Sequence, residues 1–262
     1  MSRTSEHPLR DEIADRALRA TVPPRIAKRR SKAWFGFALG ALAVFITLLL
    51  TVRANPRLER DVRATMRLQR MRHPLAARAM HIISWVGFRP QSLILPAAAV
   101  GGVWLAGFRR EARYLGAAWA GSLLSWTTKR LVRRPRPSGE GISVAIANLR
   151  DSSFPSGHTV HYVAFWGFFA YLCATQLRGT FTRLIPSGGL GAMIALVGPS
   201  RVWLGHHWLT DVFGAYSLGT AWLATLIGLH RRNLGADTPW DPKARQAAAP
   251  NRAVRLFRRW LG

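Results

Sequence analysis

The stretch with the densest functional chemistry runs from residue 200 to residue 211 and has the sequence SRVWLGHHWLTD. It contains a serine, an arginine, two histidines and an aspartate, and apolar runs flank it on both sides. If the end of the stretch is helical, His207 and Asp211 share one face, because residues four apart are neighbours on a helix. The aspartate could then accept a hydrogen bond from one imidazole nitrogen and leave the other free to attack. The pattern therefore predicts an oriented histidine nucleophile, with Arg201 bringing a positive charge to the same place.

A second cluster has the sequence PSGH at residues 155–158, immediately before another apolar run. Ser156 and Gly157 suit a helix entrance, where free N–H groups and the helix dipole favour an anion. His158 in the first turn would face that anion and could protonate a leaving group. A capping serine beside an interfacial histidine is the alternative that the pattern leaves open. We interpret His161 as a lining or packing residue, because no third ligand for a metal is apparent.

The third cluster is basic and has the sequence KRLVRRPRP at residues 129–137. On charge alone, such residues beside a span most often anchor it to lipid headgroups. Taken together, however, the three clusters offer cations, helix-end amides, a proton donor and a nucleophile, which is the inventory that phosphoryl transfer needs. Near these clusters the sequence has no carboxylate pair or Asp-rich motif to hold Mg²⁺. We therefore expect metal-free chemistry without a cofactor, in which cationic side chains neutralise the phosphate.

Membrane spans are the elements predicted to position these clusters. The chain has 262 residues and a net charge of +26, yet 49% of its residues are hydrophobic and only 19% are charged. Its basic residues gather between uncharged runs of about 20 residues, which favours transmembrane helices over a nucleic-acid-binding protein. The predicted fold class is all-α, a six-transmembrane helix bundle. The predicted spans are 33–52, 91–108, 114–128, 158–177, 184–200 and 212–229.

Polar and amphipathic segments surround the predicted spans. We expect a polar cytoplasmic segment over 1–32, a membrane domain over 33–230 and a basic cytoplasmic tail over 231–262. Residues 53–80 alternate arginines with apolar residues and suit either a basic amphipathic helix at the headgroups, broken near Pro74, or a solvated loop. The tail repeats this pattern over 251–261.

The order of the spans brings the three clusters to one membrane face, because alternate span ends lie on the same side. The positive-inside rule alone is nearly balanced, since basic residues occur in loops on both sides. When the arginines expected to do chemistry are left out, the rule favours a cytoplasmic N-terminus. The site is then predicted at the extracytoplasmic face.

The spacings within the three clusters resemble the three-part signature of the type 2 phosphatidic acid phosphatase (PAP2) superfamily, in its integral membrane lipid phosphatase branch. The parts occur in the family's order and with its internal spacings, and the resemblance covers roughly residues 80–230. The matching residues are Lys129 with Arg136-Pro137, then Pro155-Ser156-Gly157-His158, then Ser200-Arg201 with His207 and Asp211.

The resemblance implies a role for each matching residue. His207 would form a phosphohistidine, Asp211 would orient it, and His158 would protonate the leaving group and then activate water. The phosphate oxygens would be bound by Lys129, Arg136, Ser156, the Gly157 amide and Arg201. His206 is not excluded by pattern alone, but helical spacing favours its neighbour. Three arginines outside the signature are expected to anchor the helix, although they could serve anionic headgroups or a diphosphate: Arg130, Arg133 and Arg134.

These features predict a metal-independent lipid phosphatase of the cell membrane, specifically a bacterial inner membrane. The substrate would be a phosphomonoester or diphosphate lipid: a polyprenyl diphosphate such as undecaprenyl diphosphate, phosphatidate, phosphatidylglycerophosphate or a lipid A phosphate. The alternative is a non-catalytic transporter or binding scaffold that holds anionic lipid in the same cationic pocket. A vanadate-dependent haloperoxidase would share the pocket, but those enzymes are soluble. The sequence predicts no oligomeric state.

Overall fold

The computed structural model describes residues 24–71, 73–145, 151–177 and 179–234. Within these residues all regular structure is helical, which confirms the all-α part of the predicted fold class. The helices are α1 Pro24–Ala54, α2 Glu59–Gln69, α3 Pro74–Trp85, α4 Gln91–Leu105, α5 Arg109–Trp119, α6 Ser122–Val132, α7 Gly157–His161, α8 Gly167–Gln176, α9 Thr180–Trp203 and α10 Leu209–Leu234, with a π-helical turn Tyr162–Trp166 between α7 and α8. The segments 1–23 and 235–262, including the predicted amphipathic stretch 251–261, lie outside the described residues.

Three helices, rather than the six predicted, are long and apolar enough to cross a membrane within the described part of the chain. They are Ser31–Ala54, Thr180–Trp203 and Leu209–Asn233. Helix α4 has 15 residues, and at 1.5 Å per residue it reaches about 22 Å, short of the roughly 30 Å hydrocarbon core. The predicted third span is divided between α5 and α6, and the π-helical turn divides the fourth. By length and composition, three of the six predicted spans are therefore not present as long continuous helices among the described residues.

The outer surfaces of α1 and α9 are apolar. Leu39 on α1 is 68% exposed and Phe181 on α9 is 77% exposed, and similar residues continue along both helices. An apolar surface of this kind is costly in water but stable against lipid chains. These faces therefore fit contact with a bilayer.

Helix α10 lies at the centre of the packing. Along one side it contacts α1, where the Ser31 hydroxyl donates to the Gly228 carbonyl over 3.0 Å. Further along, Phe45 of α1 stacks on Phe154, with ring centroids 5.8 Å apart. The interior around α10 is filled by large apolar side chains, which include Leu115, Tyr162, Phe165, Phe168, Leu172 and Leu226.

The amphipathic segment 53–80 is folded against the protein as α2 and α3, with the break before Pro74 where it was predicted. Helix α2 turns Asp61 and Thr65 inward, where both are buried. Its last residue, Gln69, donates from its side-chain amide to the Trp203 carbonyl over 3.0 Å. These contacts exclude the solvated-loop alternative and place α2 beside the end of α9.

Candidate active site

A tight turn between α9 and α10 carries the two neighbouring histidines. Helix α10 begins at Leu209, so His207 is not on a helix and the assumed helical spacing to Asp211 is wrong. The turn depends on Gly205, whose φ is +70° and whose missing side chain leaves room for the Ser143 carbonyl. A Cβ there would lie 2.2 Å from that oxygen. Backbone geometry, rather than helical periodicity, therefore sets where each imidazole points.

The Ser153 carbonyl orients His207, since His207 Nδ1 lies 2.7 Å from the Ser153 oxygen. A carbonyl oxygen can only accept, so Nδ1 carries the hydrogen and Nε2 keeps its lone pair. Asp211 Oδ2 is farther away, at 3.7 Å, and accepts instead from the Trp208 N–H over 2.8 Å. The direct hydrogen bond to His207 therefore comes from Ser153, and Asp211 lies just beyond hydrogen-bond distance of the same nitrogen.

His206 has the opposite tautomer. Its Nδ1 contacts a guanidinium nitrogen of Arg201, and a guanidinium can only donate. The Nδ1 lone pair is therefore occupied and the hydrogen is on Nε2, which leaves His206 no free lone pair for attack. Of the two neighbours, only His207 has the form that a nucleophile requires.

The surroundings keep both imidazoles neutral. Burial lowers the pKa of His207 well below 6.5, and the nearby cations Lys129, Arg136 and Arg201 lower that pKa further against the opposing Ser153 carbonyl. Burial also lowers the pKa of His206 to about 3, again helped by the charge of Arg201. A neutral His207 at physiological pH retains the lone pair that nucleophilic attack needs.

The PSGH motif brings His158 to the same region. Ser156 caps α7, and its hydroxyl oxygen accepts from the Thr159 hydroxyl over 3.0 Å, which leaves the Ser156 O–H free to donate. The Ser156 N–H donates to the Asp211 carbonyl over 3.3 Å, so the second and third motifs are joined directly. Gly157 begins α7 and His158 lies in its first turn, as the sequence predicts.

The loop between α3 and α4 packs Gly87 and Phe88 against His158 and Arg201, and the sequence motifs did not reveal this contact. We call these two residues the wall of the site. The Phe88 ring lies 4.9 Å from the His158 ring and 5.1 Å from the Arg201 guanidinium carbon. Gly87 makes this approach possible, because a Cβ at that position would lie 2.2 Å from His158 Cδ2. The break in the apolar run at Arg89-Pro90 was the one sequence signal of a turn here.

Three buried polar atoms border this wall and have no hydrogen-bond partner among the described residues. They are His158 Nε2, Arg201 Nε and His206 Nε2. Buried polar atoms are usually paired, because leaving them unpaired costs free energy. A polar ligand bound against this wall would satisfy them.

The basic motif lines an open cavity of about 370 Å³, together with Asp151 and Ser152. Lys129 Nζ lies 2.5 Å from Asp151 Oδ2, and Arg136 contacts the other oxygen of the same carboxylate. Arg136 also donates to the His206 carbonyl over 2.6 Å, which joins the first and third motifs. Burial raises the pKa of Asp151, but the two ion pairs outweigh this and lower that pKa to about 2. Asp151 is not among the residues predicted from sequence, and it lies between the two cations predicted to bind phosphate.

A larger cavity of about 600 Å³ lies along the outer side of α2, between Arg60, Arg63 and Arg67 of that helix and Val202 with Leu209. None of the predicted site residues lines it. The smaller cavity is lined by Lys129 and Arg136 and is therefore the better candidate for the reaction site.

Arg134 is buried and does not anchor the helix at the surface as expected. Its guanidinium lies between Asp61, at 2.7 Å, and Asp211, at 2.5 Å. The structure thus brings together two carboxylates where the sequence indicated no pair, but both are held by this arginine. Within the described residues no group of three metal-ligating side chains occurs.

Comparison with known proteins identifies the family. The chain is 34% identical over 143 residues to decaprenylphosphoryl-5-phosphoribose phosphatase of Mycobacterium tuberculosis, a match covering 53% of this chain and 67% of the relative. The chain belongs to the PAP2 superfamily. The PAP2 superfamily model matches residues 110–234. This confirms the resemblance, and every signature residue lies inside the matched range.

Other similar proteins support the same family assignment. Phosphatidylglycerophosphatase B of Bacillus subtilis is 32% identical over 102 residues, and the match spans 37% of this chain and about half (46%) of that relative. The crystal structure of a transmembrane PAP2-type phosphatidylglycerolphosphate phosphatase from Bacillus subtilis has a TM-score of 0.63 at 24% identity, covering 74% of this chain and 95% of that one. Aquifex aeolicus LpxE has a TM-score of 0.53 at 20% identity, covering 67% and 98%. These two structures show that the fold is shared.

Proposed function

We propose that the protein is a membrane lipid phosphatase that works through a phosphohistidine on His207. The observation that carries the proposal is the pair of opposite tautomers in the turn before α10. The Ser153 carbonyl leaves the His207 Nε2 lone pair free, while Arg201 occupies the lone pair of His206. A neutral, oriented imidazole among cations suits attack on a phosphorus atom.

The reaction proceeds in two steps. In the first, His207 Nε2 forms a bond to phosphorus, the bond from phosphorus to the leaving oxygen breaks, and the protonated form of His158 gives that oxygen a proton and becomes neutral. In the second, water attacks the phosphohistidine and gives its proton to His158 as the N–P bond breaks. Inorganic phosphate leaves, and both histidines return to their starting forms.

The phosphate oxygens are bound by the groups that the motifs supply. Lys129 and Arg136 face the open cavity, and Arg201 offers an unpaired Nε from the interior. The Ser156 hydroxyl and the Gly157 amide add neutral donors at the start of α7. These cations supply the charge stabilisation that Mg²⁺ provides in other phosphoryl-transfer enzymes, so the mechanism needs no metal.

The substrate is a lipid phosphate or diphosphate at the membrane surface. The named relatives act on a decaprenyl-linked phosphate and on phosphatidylglycerophosphate, which supports a polyprenyl or glycerophospholipid substrate here. The site lies between the end of α9 and the start of α10, two candidate spans. Six crossings, in which the shorter α4 and the interrupted helices also span, would place this end at the extracytoplasmic face of a bacterial inner membrane.

Phosphate release from the purified protein in detergent tests the proposal. A panel of polyprenyl diphosphate, phosphatidate, phosphatidylglycerophosphate and lipid A phosphate is assayed with and without EDTA. His207→Ala and His158→Ala should each lower the rate by about 10³-fold or more, while the neighbouring control His206→Ala costs far less.

The outcomes separate the alternatives. No release from any lipid, with anionic lipid still bound and unaffected by His207→Ala, would favour the non-catalytic binding scaffold. Loss of release with EDTA would remove only the metal-free part of the mechanism. Equal losses at His206 and His207 would contradict the assignment of the nucleophile.

A further inference from the structure

Arg134, which lies outside the family signature, makes a set of buried contacts. Its Nη2 donates to Asp61 Oδ2 over 2.7 Å and its Nη1 to Asp211 Oδ1 over 2.5 Å. All three side chains have no exposed surface in these pairs. Its Nε donates to the Pro56 carbonyl over 2.9 Å, so each arm of the guanidinium has a partner. Water does not compete with charges buried in this way, and their interactions are correspondingly strong.

Thr210 completes the connection between α2 and the start of α10. Its N–H donates to Asp61 Oδ1 over 3.0 Å, and its hydroxyl donates to Asp61 Oδ2 over 2.6 Å. The same hydroxyl oxygen accepts from Arg134 over 2.7 Å. Asp61 therefore fastens the first turn of α10, which carries Asp211, to a helix that precedes the family-matched residues.

Arg134 reaches His207 by two routes. Through its backbone, its carbonyl accepts from the Ser153 N–H over 2.9 Å, and the Ser153 carbonyl in turn holds His207 Nδ1. Through its side chain, it holds Asp211 Oδ1, so that Oδ2 is directed to the Trp208 N–H and lies 3.7 Å from the same Nδ1. Arg134 thus holds in place both the Ser153 carbonyl and the Asp211 carboxylate, the two groups next to His207 Nδ1.

We propose that Asp61 and Arg134 are positioning residues for His207, and that α2 is an integral part of the active site. Asp61, Arg134 and Asp211 together carry one net negative charge beside the imidazole. The ring gains positive charge when Nε2 bonds to phosphorus, and that surplus negative charge stabilises it. Neutralising Asp61 removes the surplus without touching the phosphate-binding cations.

The inference rests on the proposed function, so it is tested with the lipid substrate that the wild type hydrolyses. Asp61→Asn should lower kcat by about tenfold or more and leave KM within about twofold, as expected for an interaction felt only in the transition state. Glu59→Gln is the matched control, because it removes one negative charge from the same helix at a side chain that is 81% exposed. This control should retain the wild-type kcat.

A second variant and a binding measurement distinguish an effect on catalysis from misfolding of the protein. Arg134→Lys keeps the charge and the backbone contacts but cannot grip both carboxylates in the same geometry. It should also lower kcat by about tenfold or more with an unchanged KM. Calorimetric titration of the purified protein with inorganic phosphate, which forms no bond to Nε2, should give a dissociation constant within about twofold of wild type for both variants.

The possible results are distinct. Wild-type turnover with kcat unchanged in both variants overturns the inference alone. A loss of inorganic phosphate binding parallel to the loss of kcat in Arg134→Lys also overturns it, because the role would then be structural. No turnover by the wild type on any lipid overturns the proposed function and the inference with it.

Discussion

Asp151 lies between Lys129 and Arg136, the two cations proposed to bind the substrate phosphate. Its two carboxylate oxygens contact one cation each, as two oxygens of a phosphate would. On the proposed mechanism, phosphate displaces this carboxylate before both cations bind it. We predict that Asp151→Asn strengthens the binding of inorganic phosphate, because the amide keeps the shape but loses the competing charge.

The magnitude follows from the pKa of Asp151. Its fall from 3.8 to about 2 corresponds to roughly 2.5 kcal/mol of interaction with the two cations, at 1.36 kcal/mol per pKa unit. The side chain is 55% exposed, so solvent screening reduces that figure to about 1 kcal/mol. A gain of about 1 kcal/mol corresponds to about fivefold tighter binding.

The assay is the competitive inhibition constant of inorganic phosphate during lipid hydrolysis at fixed pH and ionic strength. Glu140→Gln is the matched control, because it removes one negative charge from an exposed side chain in the same loop. The inhibition constant should fall about fivefold in Asp151→Asn and change little in the control. A constant that is unchanged, or that rises, would refute the displacement argument and indicate that Asp151 holds the two cations in place for substrate.

Three further predictions follow from the turn, the wall and the nucleophile. Gly87→Ala should push His158 aside and lower kcat by about tenfold or more, with phosphate binding retained; an unchanged kcat would mean that the wall is free to move. Gly205→Ala should lower unfolding stability by about 2 kcal/mol or more in thermal melts, because its φ of +70° and the facing carbonyl disfavour a side chain. Gly102→Ala, with nothing within 4 Å of its added Cβ, is the stability control. Finally, ¹³C-labelled His207 should keep its neutral NMR shifts from pH 8 down through 6, since it protonates only well below 6.5; a midpoint near 6.5 would contradict the neutral nucleophile.

The residues predicted from sequence are those whose roles depend on short spacings. Lys129 with Arg136, the PSGH segment, and His207 with Asp211 each lie within a dozen residues of one another. Residues this close in sequence can be recognised as a motif without knowledge of the tertiary structure. The motifs also contact each other in the fold. Length and apolarity likewise revealed α1, α9 and α10, because a long uncharged run of residues strongly favours a membrane-spanning helix.

The missed residues depend on contacts that are distant in sequence. Asp61 reaches Arg134 across 73 positions, and nothing local distinguishes that carboxylate from an exposed one on an arginine-rich helix. Arg134 lies among other arginines of the same motif, of which Arg133 is exposed. Only the tertiary packing of α2 against α10 determines which arginine is buried.

The packing of α1 and α2 also determines how far the chain can be shortened while its core and its buried ion network stay complete. The family-matched residues 110–234 omit Asp61, the Gly87-Phe88 wall and the whole of α1, which covers one side of α10. A fragment trimmed to that range would expose the apolar side of α10 and leave Arg134 with one carboxylate instead of two. Exchange of segments with a relative should therefore move residues 31–90 together with the signature motifs, so that both halves of the buried ion network come from one parent.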